Sequence, residues 1–255
     1  MGSGSRGTPN PRTMAEKNFL LSYPAHVEML RRTLSEESAM EVAVGGEFVA
    51  MGKLEYYLLK SLGLSAGQYV VDIGCGSGRL AYQLAPYPEI GYMGTDVVPD
   101  LLAHAERVCQ RADWLFARAH GTSIICEEGS ADFVCFFSVF THLSHEDSFR
   151  YLREARRVLK DGGKIVFSFL EFRIHSHWEV FANSLLQRSD AVLNQFVDRH
   201  AIAVWAERLE LDLELIADGD KPHFPIDEMI KFGDGRTLAG YGCLGQSVAV
   251  LSKQK

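Results

Sequence analysis

No apolar run in the 255 residues approaches the ~20 that a membrane-spanning helix needs; stretches such as 133–140 and 165–170 are less than half that length. The N-terminus has no apolar signal region. Basic residues are in deficit, with 26 Lys and Arg against 33 Asp and Glu and a net charge of −7, so the chain as a whole carries no electrostatic footprint for nucleic acid. Cysteine is sparse. Cys75, Cys109, Cys126, Cys135 and Cys243 stand in no C-x-x-C spacing, which fits reduced thiols in a cytoplasmic protein rather than a disulfide framework or a zinc site. No internal repeat is visible. What remains, 47% apolar and 23% charged, is an ordinary globular composition, long enough for one large domain or a domain with a cap.

Residues 1–13 are rich in Gly, Ser and Pro and are read as a disordered segment outside the fold. The region 14–62 is helical in pattern. Leu54, Leu58, Leu59 and Leu62 fall on one helix face, while Gly45, Gly46 and Gly52 are read as interruptions between helices. From 63 onward strand and helix alternate. Strands are expected at 68–74, 91–98, 114–119, 132–140 and 164–172, and helices at 79–87, from Pro99 and from 144 to 160. Ser144 and Asp147 have the S-x-x-D spacing of a capping box, and 161–163 reads as a turn. After 172 the rhythm breaks into an inserted helical segment at 173–200. A helix near 201–209, a strand near 211–217, a loop at 218–244 and a last strand at 246–253 follow. Such alternation predicts an α/β fold with a mostly parallel sheet covered by helices on both faces.

The sharpest signal is VVDIGCGSGRL at 70–80, a strand, a glycine turn and a helix. Glycines at 74, 76 and 78 permit positive φ and close backbone approach to a ligand. Counted from Gly74, the dinucleotide pattern G-x-G-x-x-G fails at Arg79; counted from Gly76 it ends on the permitted Ala81. Asp72 separates the two readings, because a carboxylate here repels a pyrophosphate and attracts cationic groups. The resulting D-x-G-x-G-x-G resembles motif I of the class I S-adenosylmethionine-dependent methyltransferases, in their small-molecule branch.

The resemblance runs from about Gly45 to the C-terminus and implies a Rossmann-like seven-stranded sheet, mostly parallel, with an antiparallel last strand. It implies S-adenosyl-L-methionine as cofactor, held by Asp72, Gly74, Cys75, Gly76 and Gly78 of the loop. Asp96 and Val97, at the end of the second strand, would meet the ribose, since one carboxylate can accept from two hydroxyls. His120, Thr122 and Ser123 would lie beside the adenine; the family's usual acidic residue there is replaced by His120. Phe137, Ser138 and Phe140 would sit at the C-terminal edge of the fourth strand, where ligands bind in open α/β sheets, with Ser138 among the cofactor contacts. The N-P-P-Y type motif of adenine- and glutamine-directed enzymes is absent, with SVFTH in its place. Together with the acidic charge this points to a small-molecule acceptor rather than nucleic acid.

Methyl transfer needs placement first and a base only when the acceptor is a neutral hydroxyl. His142 is the candidate base, followed by Glu171 and then His175. The opposing expectation for His142 is a backbone bond that fixes the loop before the Ser144 cap. The cap 14–62, the insert 173–200 and the loop 218–244, with Tyr23, His26, His175, His177, Trp178 and His223, are expected to set acceptor choice, with the first two as a lid. His175-x-His177 has no acidic or thiol companion at metal-binding spacing, so no metal is expected. Two other readings stay open: a non-catalytic cofactor-binding partner protein, and an RNA or protein methyltransferase.

Overall fold

The computed structural model describes residues 19–186 and 193–254; the expected disordered segment 1–13 lies outside them, as do 14–18 of the cap and 187–192 of the insert. Three helices open the chain: α1 (Phe19–Thr33), α2 (Glu36–Ala43) and α3 (Phe48–Ser61). Then follow β1 (Tyr69–Ile73), α4 (Arg79–Leu84), β2 (Gly91–Asp96), α5 (Pro99–Cys109), β3 (Leu115–Arg118), β4 (Ala131–Phe136), α6 (His145–Val158) and β5 (Leu159–Phe169). The chain continues through α7 (His175–Ser184), α8 (Arg199–Arg208), β6 (Leu211–Ala217), β7 (Phe224–Lys231), β8 (Thr237–Gly242) and β9 (Ser247–Lys253).

Seven strands form one sheet in the order β3-β2-β1-β4-β5-β9-β6, and β9 runs antiparallel to both of its neighbours. Strand alternation divides the core. Val71, Ile73, Val134, Phe136, Ile165 and Phe167 face α6 and α8, whereas Val70, Phe133, Cys135, Val166 and Val250 face α3 and α4. The order reverses at β1 and β4, so the crevice beyond their C-terminal ends is where an open α/β sheet receives a ligand. The capping box at α6 forms as its spacing predicts, with Ser144 Oγ accepting from Asp147 N at 3.1 Å. Among the described residues no helix is long and apolar enough to cross a membrane.

Three local expectations are corrected. Residues 161–163 are not a turn: α6 ends at Val158 and β5 runs straight through them, with a register shift against β4 between Ala131 and Phe133 and Gly162 at φ +77°. Gly52 does not interrupt a helix. It lies inside α3, where a Cβ would stand 2.5 Å from the Arg79 carbonyl oxygen, so it brings α3 onto α4. The 218–244 loop contains the antiparallel pair β7–β8, which buries Phe224, Ile226 and Ile230 against α3.

Candidate active site

The glycine turn is held from below. Gly74 N and Cys75 N both donate to the Thr95 carbonyl, at 2.7 and 2.9 Å, which folds the turn over β2. Gly74, Gly76 and Gly78 have φ of +70°, +55° and +90°, the left-handed region that favours glycine. Asp96, at the end of β2, accepts from Gly76 N at 3.0 Å and from Val98 N at 2.9 Å, one bond on each carboxylate oxygen. Burial still pushes its pKa up to about 6 against those bonds. Asp72 accepts from the Tyr92 hydroxyl at 2.8 Å; burial first, then the charge of Glu55, pushes its carboxyl up to about 8.

Above this turn lies a cavity of about 380 Å³, within the size class of small-ligand sites. Asp72, Gly74, Cys75, Gly76, Asp96, Val97, Ser138 and His142 line it, and so do Tyr23 and His26 of α1. The remaining candidates stand elsewhere. Gly78 packs against α5, where a Cβ would meet Ala105 Cβ at 2.8 Å. His120, Thr122 and Ser123 are outside the wall. Ala119 N donates to the Asp96 carbonyl at 2.8 Å, Ala119 lines the cavity instead, and the chain then turns out to an exposed His120. Glu171 lies just past β5 and is spent on a buried cluster: Arg199 donates to both of its oxygens, at 2.8 and 2.6 Å, and Ser247 Oγ donates as well. It is not among the residues that line the cavity. His175 is exposed, and His177 is buried with Nε2 donating to the Gly245 carbonyl at 2.9 Å, so the two do not converge.

His142 follows β4 in a single 3-10 turn, Phe140–His142. Its Nδ1 is 2.8 Å from the Leu193 carbonyl, an oxygen that only accepts, so Nδ1 carries the proton and Nε2 keeps its lone pair. Burial lowers its pKa below the usual imidazole range, and His26 adds to the shift. Its ring lies 5.5 Å from that of Tyr23, whose hydroxyl donates to the Ala43 carbonyl at 2.6 Å. Ser138 holds a positive φ of 58°, and its N–H donates to Ser168 Oγ at 2.7 Å. Ser168 Oγ donates in turn to Gln246 Oε1 at 2.7 Å, and Gln246 lines the cavity.

Sequence reasoning missed Glu55, Arg79, Tyr151 and Gln246, all of them in the wall. Only Glu55 left a signal: an acidic residue on the apolar face shared with Leu58, Leu59 and Leu62. Arg79 is the one Arg or Lys lining the cavity among the described residues. It donates to Glu55 and, at 2.8 Å, to the Val44 carbonyl at the end of α2.

Comparison with known proteins agrees with this geometry. Malonyl-[acyl-carrier protein] O-methyltransferase of Hahella chejuensis is 32% identical over 108 residues, covering 40% of this chain and 37% of that protein. Ubiquinone biosynthesis O-methyltransferase of Xanthomonas oryzae pv. oryzae is 28% identical over 162 residues, covering 58% and 64%. The chain thus spans between about a third and two thirds of the length of these curated relatives. In fold it is similar to a SAM-dependent methyltransferase structure from Thermotoga maritima, with a TM-score of 0.59 at 18% identity over 92% of this chain and 99% of that one. Residues 70–163 match the family model described as a methyltransferase domain, from β1 to the start of β5. The matched segment carries the glycine turn and the sheet's point of reversal, so residues 70–163 are similar to a methyltransferase domain, on a fold similar to that of S-adenosylmethionine-dependent methyltransferases.

Proposed function

We propose that this protein is a methyltransferase that uses S-adenosylmethionine to methylate a small-molecule acceptor, on a hydroxyl oxygen in preference to nitrogen. The cofactor fits the residues present. The turn's backbone is bare where a side chain would intrude, since a Cβ on Gly76 would stand 2.4 Å from Val44 Cγ1. The Asp96 carboxylate has two of its roughly four acceptor positions left for ribose hydroxyls. The cavity of about 380 Å³ is of the size class of small-ligand sites and suits the cofactor. The free thiols of the cysteines support a reducing, cytoplasmic setting.

Bound S-adenosylmethionine supplies an activated methyl group for in-line displacement. The chain's own residues supply the rest. Phe137 and Val139 wall off water beside the strand ends, and Ser138 and Gln246 present polar atoms to the acceptor's side. His142 Nε2 accepts the proton that the hydroxyl oxygen gives up as its bond to carbon forms. The observation that carries this reading is His142 itself: an imidazole in the cavity wall whose Nδ1 is tied to the Leu193 carbonyl, which leaves Nε2 as the nitrogen for the acceptor.

Calorimetry with S-adenosylhomocysteine, followed by turnover across a panel of hydroxyl and amine acceptors, tests the proposal. Binding together with turnover of a hydroxyl acceptor is expected. Binding without turnover on any acceptor leaves a cofactor-binding partner protein, and absence of binding ends the proposal.

A further inference from the structure

Gln246 reaches the cavity wall from outside the matched residues 70–163, one residue before β9. Phe169 at the end of β5 pairs with Ser247, so Gln246 stands at the C-terminal edge of the sheet. Its backbone is held on both sides. His177 Nε2 donates to the Gly245 carbonyl at 2.9 Å, and Ser247 Oγ donates to Glu171 while accepting from Gly219 N at 3.2 Å. The side chain is held as well. Ser168 is buried and its Oγ accepts from Ser138 N, so its single hydrogen is left for Gln246. Only the amide oxygen can receive that hydrogen; a flipped amide would strand it. The Gln246 amide nitrogen keeps two hydrogens with no partner among the described residues.

Ser138, the first member of this chain of bonds, holds a φ of 58°, a conformation that persists in a residue other than glycine only where its surroundings enforce it. Thr141 Oγ1 donates to the Ser138 carbonyl at 2.8 Å, so the turn that carries His142 is tied to the same network. Two unpartnered donors on a half-buried side chain lose their water when ligands fill the cavity, and then need an acceptor. On the methyltransferase reading above, the cofactor takes the side of β1 and β2, with Asp96, and the other substrate the side of β4, β5 and β9. Resting on that reading, we propose that Gln246 is an acceptor-binding residue that selects a carbonyl oxygen near the methylated hydroxyl, its amide nitrogen donating to that oxygen. A site built around such a bond rejects analogues that lack the oxygen, because its donor is then left unpaired.

Matched hydroxyl compounds test this: the ortho, meta and para hydroxyacetophenones against the corresponding ethylphenols, and hydroxyacetone against propanol. Each pair differs by a carbonyl oxygen in place of two hydrogens. Steady-state kinetics on wild type should give at least one ketone a KM at least tenfold below that of its partner, since a binding contact shows in KM. Gln246→Glu keeps an oxygen for Ser168 and removes both donors. It should raise that ketone's KM tenfold or more, bring the pair within threefold of each other and leave S-adenosylhomocysteine affinity within twofold, and Gln246→Leu should do the same. Equal losses on both members of a pair, an unchanged ketone KM, or a loss of S-adenosylhomocysteine affinity make Gln246 a tie between β5 and β9 and overturn the assignment. If neither variant folds, wild type decides: no ketone with the lower KM, or turnover of none of these compounds while S-adenosylhomocysteine binds, overturns it. Wild type that does not bind S-adenosylhomocysteine brings down the methyltransferase reading itself, a separate failure.

Discussion

Two groups of buried and half-buried acids sit on the same edge of the sheet and behave in opposite ways. In the cavity wall Glu55, Asp72 and Asp96 stand with Arg79 as the one Arg or Lys among the described residues, bonded to Glu55, and burial raises the pKa of all three acids. Beyond β5, Glu171 and Asp218 are surrounded by cations: Arg199 at 2.6 and 2.5 Å, Lys221 at 2.6 Å and Arg173 at 3.6 Å. Lys221 and Arg199 hold Asp218 down to about 2. One cluster has closed its charge balance within the protein, as a structural clamp does. The other keeps an excess of acid against a cavity, as a site for a cationic ligand does.

The comparison predicts where each loss should be felt. His142→Gln, on the cavity side, should lower kcat by roughly 10²–10⁴ while S-adenosylhomocysteine affinity and melting temperature hold, as steady-state kinetics and calorimetry will show. Turnover within a few-fold of wild type removes His142 as the base. Glu171→Ala strikes the clamp. It leaves Arg199 short of one buried partner and should cost about 3 kcal/mol in denaturant unfolding, with cofactor affinity unchanged. A loss of affinity without a loss of stability reverses the assignment of the two clusters. Asp96→Ala should weaken cofactor binding by about 1.5–3 kcal/mol, the worth of hydrogen bonds to a charged group, measured by the same calorimetry.

A further effect is on pH. Asp72 and Asp96 titrate at about 8 and about 6 in the fold, above the roughly 3.9 of an unfolded aspartate. The native state then holds more protons than the unfolded one, so stability falls as pH rises from about 4 through 8. Asp218 has the reverse sign: its contribution is present above about 4 and is lost as pH falls through about 2. Melting curves of the cofactor-free protein should therefore decline between pH 5 and 8, and Asp72→Asn should flatten the decline. A variant with the same slope as wild type breaks the contrast between the clusters.

Much of this was legible because it follows from local chain chemistry. The glycine turn and the acid ending β2 are fixed by backbone needs that only a few residue types meet, positive φ in the first and two N–H groups to accept from in the second. The β7–β8 pair was not legible. Its Gly, Asp and Pro content mimics a loop, and a register shift between Ile226 and Ile230 breaks the period of two. Glu55 and Gln246 reach the cavity from elements distant in sequence, so no spacing joins them to the turn. His120 was placed by family analogy; the bond from Ala119 N to Asp96, a tertiary contact, is what turns it outward.

The placement of β9 has a consequence for the order in which the molecule is made. β6 takes its sheet partner from β9, and β9 lies between β5 and β6. On a ribosome, β6 emerges some thirty residues before the strand that pairs with it, at roughly 5–20 residues per second. Until residues 247–253 arrive, β5 and β6 both present open edges, and such edges invite pairing with another chain. Of the sheet's seven strands the last to be synthesised is thus the one that joins β6 to the rest, and the nascent sheet is most exposed to misassembly in the interval just before it appears.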